Sequence, residues 1–287
     1  MAKYICPKLI IMNKIIIPFV GENFPNGAFE FACTLNQLDK ILLTGLFLPQ
    51  VNYSNLWSFS GGGMTGPVYV PLVEDADVEV MVHNVVRFKN KCEKNGIEYR
   101  VHENHFDFAI PELKRETRFA DLLLIGSEAF YSNLGTEGLN VHLKETLHHA
   151  ECPVLLVPEE HRFPENVVLA YDGSESSVFA IKQFAYLFPK LTKLPTLLIT
   201  IDAKHPSQDF PDRSNIEELV GRHFSQLTLM KLEFDPHDYF SSWIVNRESS
   251  ILVSGSFDRS ALSEAIRKSF VTEVIASHQL PVFIAHR

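Results

Sequence analysis

The sequence predicts two tandem α/β domains, each built on a parallel sheet with helices on both faces. The chain has 287 residues, about twice the length of a compact domain. An apolar run that ends in Gly-Ser, a helical stretch and a short strand that begins with Pro-Val occur in that order twice. Gly126 precedes Pro153 by 27 positions, and Gly255 precedes Pro281 by 26. A repeat of this length indicates that one domain has been duplicated.

The second half shows the order of elements most clearly. Asn166–Tyr171 is an apolar run typical of a strand, and it stops at Asp172-Gly-Ser-Glu175, where glycine makes a turn and Ser174 can cap a helix. That helix carries apolar residues three and four positions apart and ends before Pro189. The later predicted elements are strands at 197–201, 227–234, 250–256 and 280–285, with helices at 215–224 and about 239–246. Apolar strands that alternate with helices predict a doubly wound parallel sheet.

The first half repeats this order. Its predicted strands are 14–20, 40–49, 97–101, 120–127 and 152–157, and its predicted helices are 25–39 and 78–95. A Gly-rich, Pro-containing insertion at about 50–76 has no counterpart in the second half. The polar segment 158–164 is the predicted linker, which divides the chain into domains at 1–160 and 161–287.

The composition argues against several classes of function. The formal net charge is −9, from 26 Lys plus Arg against 35 Asp plus Glu, and this balance opposes binding to nucleic acid. No apolar stretch reaches the ~20 residues that a membrane span needs. Four cysteines at irregular spacing, Cys6, Cys33, Cys92 and Cys152, fit neither a disulfide framework nor a zinc site. We therefore expect a cytoplasmic protein with reduced thiols and with no nucleic-acid or membrane partner.

Two motifs stand where a doubly wound sheet binds its ligand, beyond the carboxyl ends of the strands at the point where the strand order reverses. They are Asp172-Gly-Ser-Glu175 and Gly255-Ser-Phe-Asp-Arg-Ser-Ala-Leu262. Together with the final Pro-Val strand, they resemble the universal stress protein family. The resemblance covers the whole chain as a tandem pair and is sharper in 166–287. It implies two Rossmann-like, flavodoxin-type domains of five parallel strands each and a role in stress response.

The resemblance also implies where a nucleotide could bind. Family members that bind ATP carry Gly-x-x-Gly, nine residues, then Gly-Ser or Gly-Thr after the fourth strand, where phosphate approaches backbone N–H groups. In this chain the pattern falls on Gly255, Asp258, Lys268 and Ser269, of which the first and last match. Asp258 would set a carboxylate against phosphate, whereas Lys268 could attract phosphate as a point charge. Asp172 matches the acidic position that meets the nucleoside. The candidate site for ATP or another adenine nucleotide is thus Asp172, Gly255, Ser256, Asp258, Lys268 and Ser269.

The first half departs further from the pattern. Val20 stands where the aspartate would be, and Ala129 replaces the second glycine. Asn140 and Val141 occupy the Gly-Ser pair. We expect no nucleotide site in this half.

Other readings of the sequence are weaker. Glu145 and His149 have the i, i+4 spacing of a metal pair, but no third ligand of fixed spacing accompanies them, so a solvated helix face is favoured. His102 and His105 lie on a predicted strand extension, where alternate residues point to opposite faces. Ser60 lacks the preceding glycine and the preceding strand of a nucleophile elbow, so no catalytic constellation is expected. The histidine patterns above lead us to expect no metal site. Asp172 itself could serve only to build a turn.

The leading functional hypothesis is a stress-response protein that binds a ligand or a protein partner without catalysis. An adenine-nucleotide sensor that uses the second half is the alternative, and a hydrolase is the third reading. The family's final strands, here around 154–157 and 282–285, lie at sheet edges. Because exposed edges pair readily, the two halves are expected to form an internal pseudo-dimer, with a further homodimer left open.

Overall fold

The computed structural model describes residues 13–20, 23–48, 75–103, 109–128, 150–201, 210–232, 243–244, 247, 249–255, 274 and 279–285. The elements of the first half are β1 (Asn13–Val20), α1 (Asn26–Leu38), β2 (Ile41–Leu48), α2 (Asp75–Asn95), β3 (Glu98–Glu103), α3 (Ala109–Thr117), β4 (Leu122–Gly126) and β5 (Val154–Val157). Those of the second half are β6 (Asn166–Tyr171), α4 (Glu175–Leu187), a 3-10 helix (Leu191–Lys193), β7 (Pro195–Ile201), α5 (Arg213–His223), β8 (Gln226–Leu232), β9 (Ser250–Gly255) and β10 (Val282–Ala285). None of the helices among these residues is long and apolar enough to cross a membrane.

The strands form a single ten-stranded sheet in the order β3-β2-β1-β4-β5-β10-β9-β6-β7-β8. Within each half the described strands pair in parallel. The halves meet where β5 and β10 pair antiparallel, with Leu155 opposite Phe283. The predicted α/β class, with parallel strands and helical crossovers, is confirmed.

The strand order corrects the expected topology. Each half runs 3-2-1-4-5, which matches the first five strands of the Rossmann order, whereas the flavodoxin order is 2-1-3-4-5. The third strands, β3 and β8, alternate exposed and half-buried residues over most of their length. β2, in contrast, is buried almost throughout. A strand with a polar side belongs at the edge of a sheet, and this places β3 and β8 outermost.

The predicted elements lie within a few residues of the observed ones, with one omission. The predicted elements include no helix between β3 and β4, where α3 lies. Glu112 in its first turn and Lys114 and Arg115 in its last turn match the helix dipole. The insertion expected at about 50–76 falls outside the described residues up to position 74, as does most of the helix expected at 239–246.

The sheet separates two apolar layers. On one face, α1, α2, α4 and α5 contribute the buried residues Phe31, Phe88, Phe184 and Ile216. On the other face, α3 contributes Leu113. Successive strands are added to the sheet in one direction from β1 to β3 and in the opposite direction from β3 to β4. Right-handed crossovers that run in opposite directions place their helices on opposite faces, which explains this arrangement.

Side chains also hold the two halves together beside the β5–β10 joint. The Asn13 side-chain amide donates to the Leu187 carbonyl at 3.1 Å. Lys190 donates to the Leu38 carbonyl and pairs with Asp39 Oδ1 at 2.9 Å. The first contact joins the start of β1 to the C-terminal end of α4, and the second joins the C-terminal end of α1 to the residues after α4.

Candidate functional site

Asp172 builds the turn at the carboxyl end of β6. Its Oδ1 accepts a hydrogen bond from the Ser174 N–H at 2.9 Å, and Gly173 adopts the left-handed region with φ +82°. Ser174 then caps α4 as predicted, since its Oγ accepts from the Ser177 N–H at 3.1 Å. Asp172 is exposed. One carboxylate oxygen thus has a structural role in the turn, and the exposed side chain lies at the carboxyl edge of the sheet.

Gly255 lies at the end of β9, the strand beside β6, where Leu169 pairs with Val253. A Cβ at Gly255 would lie 2.5 Å from the Ser177 nitrogen and 2.6 Å from the Ser176 carbonyl carbon. Glycine is therefore required for the end of β9 to pack on the first turn of α4. This gives Gly255 a structural role in addition to the phosphate role expected from the sequence.

The structure brings Asp172 and Gly255 to the same carboxyl edge, on neighbouring strands. The other expected site residues, Ser256, Asp258, Lys268 and Ser269, lie outside the described part of the chain. So do Ala129, Asn140 and Val141 of the first half.

A cleft opens beside the Asp172 turn, between α4 and α5. Its volume is about 570 Å³, within the usual range of ~300–1,000 Å³ for small-molecule pockets. It is lined by Tyr171, Gly173, Ser174, Glu175, Val178, Phe179, Lys182, Asp212, Asn215, Ile216 and Leu219. This cleft could not be predicted from the sequence, because its walls come from two helices that are far apart in the chain.

A fixed corner shapes one end of the cleft. Buried Tyr171 donates its hydroxyl to the Pro211 carbonyl at 3.0 Å, and a Cβ at Gly173 would lie 2.7 Å from Pro211 Cβ. Burial raises the pKa of Tyr171, and the carboxylates of Asp212 and Asp172 raise it further. The Tyr171 hydroxyl therefore keeps its proton, which sustains the hydrogen bond to Pro211.

The first half fills the corresponding helix N-terminus with its own carboxylate. Pro25, the residue before α1, makes no side-chain capping hydrogen bond. Instead, the Gly27 N–H donates to Glu159 Oε2 at 3.0 Å, across 132 positions of sequence. A carboxylate at this place satisfies a free N–H and complements the positive end of the helix dipole. A Cβ at Gly27 would overlap the Pro158 carbonyl, so glycine also permits this approach.

Glu159 lies close to other acidic groups. Its backbone N–H donates to Glu128 Oε2 at 2.9 Å, and the Ser127 hydroxyl donates to the same oxygen at 2.9 Å. Burial raises the pKa of Glu159, and the charges of Glu128 and Glu30 raise it further, while the Gly27 N–H opposes the shift. Glu159 belongs to the segment predicted as a polar linker. Its capping role could not be predicted because its partner, Gly27, is distant in sequence.

Two substitutions of Glu159 should show separately what its hydrogen bond and its charge contribute to stability. Because its folded-state pKa is raised, its contribution to stability is largest in acid and is lost as the pH rises from 4.5 through the raised pKa. Glu159→Gln keeps an oxygen for the Gly27 N–H and should weaken this pH dependence. Glu159→Ala should be less stable than Glu159→Gln by about 1 kcal/mol, the usual worth of a helix cap. Urea unfolding of the three proteins from acid to neutral pH measures both effects. Equal stability of the two variants would remove the capping role.

Of the metal-ligand candidates in the sequence, His102 lies within the described part of the chain. His102 Nδ1 lies 2.9 Å from Glu116 Oε2, so that this histidine pairs with a carboxylate. Among the described residues no group of three or more His, Cys, Asp or Glu side chains could hold a metal ion. His105, Glu145 and His149 lie outside that part, and Ser60 does too. Cys33, Cys92 and Cys152 are free thiols, and burial raises the pKa of each, to about 11 for Cys33 and about 12 for the other two.

Comparison with solved structures identifies the fold. A universal stress protein from Archaeoglobus fulgidus DSM 4304 matches with a TM-score of 0.65 and 15% identity, over 96% of this chain and 96% of that chain. The fold is that of the universal stress proteins. A functionally unknown protein from Pseudomonas aeruginosa PAO1 matches with a TM-score of 0.60 and 12% identity, over 96% of this chain and 93% of that chain. No protein-family model matches the sequence, and no curated protein matches it.

The fold by itself does not specify the chemistry of a site, since one fold hosts many functions. In this chain the two copies of the fold differ at the carboxyl edge of the sheet. The second copy presents an exposed Asp172 and an open cleft. The first copy places Glu159 on its helix N-terminus.

Proposed function

We propose that this chain is a universal stress protein that acts by binding a ligand or partner, without catalysis, and that its second half carries the working site. The observation that carries the proposal is the difference between the two copies. The Glu159 carboxylate covers the N-terminus of α1, whereas Ser174 caps α4 locally and leaves the Asp172 edge exposed. A negative charge at the first site repels phosphate and carboxylate ligands.

An adenine nucleotide is the ligand that the sequence resemblance favours. Asp172 and Gly255 stand on neighbouring strands at the point where the strand order reverses, which is where doubly wound sheets bind ligands. The exposed carboxylate of Asp172 could accept hydrogen bonds from a ribose or an amine. The Gly255-Ser256 pair continues into the segment that carries Asp258, Lys268 and Ser269.

The test is the change in melting temperature that ATP causes in the purified chain. A ligand that binds the folded state alone increases the free energy of unfolding, by about 2.7 kcal/mol at a hundred times its Kd. The melting temperature rises as a consequence. We expect a rise in the wild-type protein and none in Asp172→Ala. Asp172→Asn keeps an oxygen for the Ser174 N–H but loses the charge, so it separates turn stability from ligand binding.

Each variant is compared with its own ligand-free melting temperature, because Asp172→Ala also removes the turn hydrogen bond. Glu218→Gln, an exposed change on α5 away from the cleft, is the control and should respond to ATP as the wild type does. An equal ATP response in the wild type and Asp172→Ala would contradict the second-half nucleotide site. Absence of any response in the wild type would remove the nucleotide proposal.

The two halves are also proposed to replace the family's dimer within one chain. The antiparallel pairing of β5 with β10 and the Lys190–Asp39 ion pair support this proposal. Each half covers the sheet edge that the other would expose.

A further inference from the structure

The duplication provides an internal comparison between the two helical grooves. α1 and α4 have 13 residues each, and all five buried positions of α4 coincide with buried positions of α1 when Asn26 is aligned with Glu175. The coinciding buried pairs are Ala28 with Ser177, Phe31 with Ala180, Ala32 with Ile181, Leu35 with Phe184, and Asn36 with Ala185. α2 and α5 each end three residues before the next strand, which aligns Asn95 with His223. Buried Phe88 and Cys92 then coincide with buried Ile216 and Val220.

The groove of the first half is filled by its own side chains. Phe24 and Phe29 are buried in it, with ring centroids 5.7 Å apart. Arg87 and Lys91 of α2 lie over the Phe24 ring at 4.3 and 5.0 Å from its centroid. Both cations donate to Asn26 Oδ1, at 2.9 and 3.2 Å. An aromatic group, a cation and an oxygen acceptor thus close this groove.

The second half lacks the parts that fill the first groove. Gly173 stands in place of Phe24, and Val178 in place of Phe29. Asn215 and Leu219 replace the two cations, and Glu175 replaces Asn26. These five counterparts are Gly173, Glu175, Val178, Asn215 and Leu219, and all of them line the 570 Å³ cleft. Pro211 lies against Gly173 and takes up part of the space. The rest of the cleft is room that aromatic and cationic side chains occupy in the other copy.

We propose that the α4–α5 cleft binds a small aromatic molecule that carries a cationic amine. The ring would lie against Val178, Phe179 and Leu219, which are half-buried and apolar. The amine would meet carboxylates, because Glu175 stands where the acceptor of both first-half cations lies and Asp212 lines the same cleft. Among the described residues of the lining, Lys182 is the cation and Glu175 and Asp212 are the anions, so this part of the cleft has a net negative charge.

The backbone at Asp212 supports a ligand contact there. Asp212 precedes α5 with φ 44° and ψ 42°, the left-handed region, and its side chain makes no capping hydrogen bond with the helix. A non-glycine residue in this conformation costs free energy, and such strain concentrates at functional sites. The carboxylate is exposed and available to an amine.

This site is separate from the proposed nucleotide site. The nucleotide would bind at the ends of β6 and β9, through Asp172 and Gly255. The aromatic amine would bind between two helices on one face of the sheet. Acidic lining groups disfavour phosphate in the cleft, so the two ligands have opposite charge.

The test is a ligand-observed NMR titration of the full chain with tyramine, an aromatic ring with an ammonium group. A molecule of this size should bind with a Kd of about 1 mM. The matched probe 3-(4-hydroxyphenyl)propionate has the same ring with a carboxylate and should bind at least about tenfold more weakly, because its charge is reversed. Equal binding of the two probes, or no saturable binding of tyramine, would overturn the proposal.

Two variants test the location. Val178→Phe restores the bulk that Phe29 provides in the first half and should abolish saturable binding of tyramine. Asp212→Asn removes the charge, while asparagine tolerates the left-handed backbone, and it should weaken binding about fivefold or more. Glu218→Gln, outside the cleft, should bind as the wild type does. Tyramine binding at the wild-type level in both cleft variants would overturn the proposal. If one variant folds poorly, the other still tests the location.

Discussion

Replacing Phe283 with alanine should lower the free energy of unfolding by about 3–5 kcal/mol, the usual cost of truncating a fully buried phenylalanine. Phe283 is 0% exposed and lies on β10, between Leu155 of β5 and Val253 of β9. Its ring contacts those of Phe184 and Phe188, with centroids 5.4 and 5.9 Å away. The cavity would open at the joint between the two halves, so both should lose stability together.

Urea unfolding followed by circular dichroism measures this effect. The matched control is Phe119→Ala, because Phe119 is 67% exposed and should change stability by no more than about 0.5 kcal/mol. A loss below about 1 kcal/mol for Phe283→Ala would show that β10 is not part of the core. An unfolding curve with two separate steps in this variant would show that the halves can come apart at the joint.

Replacing Gly255 with alanine should cost about 3 kcal/mol, the upper end of the usual range for an overpacked site. The new Cβ would meet the backbone of α4 at Ser176 and Ser177, at 2.5–2.9 Å. Backbone atoms cannot move aside as a flexible side chain can, so β9 and α4 would have to separate. The change acts on packing and needs no ligand.

Gly126→Ala is the matched control from the first half. Its Cβ would lie 3.1 Å from Pro25 Cβ, a side-chain atom, and should cost clearly less than Gly255→Ala. Thermal unfolding without added nucleotide compares the two variants. If Gly255→Ala were as stable as the wild type, the glycine would have to be explained by ligand contact alone.

The α/β class and the order of elements could be predicted from the sequence because both depend on local patterns. Apolar runs, turn residues and the Ser174 cap act within a few residues. The order of the strands depends instead on which strand tolerates solvent. The alternation of exposed and half-buried residues in Glu98–Glu103 is typical of an edge strand, but the resemblance implied the flavodoxin order. α3 was missed because its short amphipathic pattern lies beside the repeated segment.

The site was harder to predict because its contacts are distant in sequence. Asp172 and Gly255 were identified from motifs, yet the packing of Gly255 on Ser176 is visible only in three dimensions. Glu159 reaches Gly27 across 132 positions. The sequence shows Phe29 and Val178, but only the structure shows that Phe29 fills the groove of the first half whereas Val178 lines an open cleft.

Hydrogen exchange of the full chain with and without ligand tests most directly the claim that the second half alone holds a working site. Measured by mass spectrometry with ATP and, separately, with tyramine, protection is expected in peptides that cover residues 171–182, with ATP extending it to the end of β9 and tyramine to residues 211–219. Peptides that cover residues 24–38 and 84–92, the filled groove of the first half, should exchange at the same rate in every sample. Protection of those first-half peptides, or equal protection of both halves, would contradict the account.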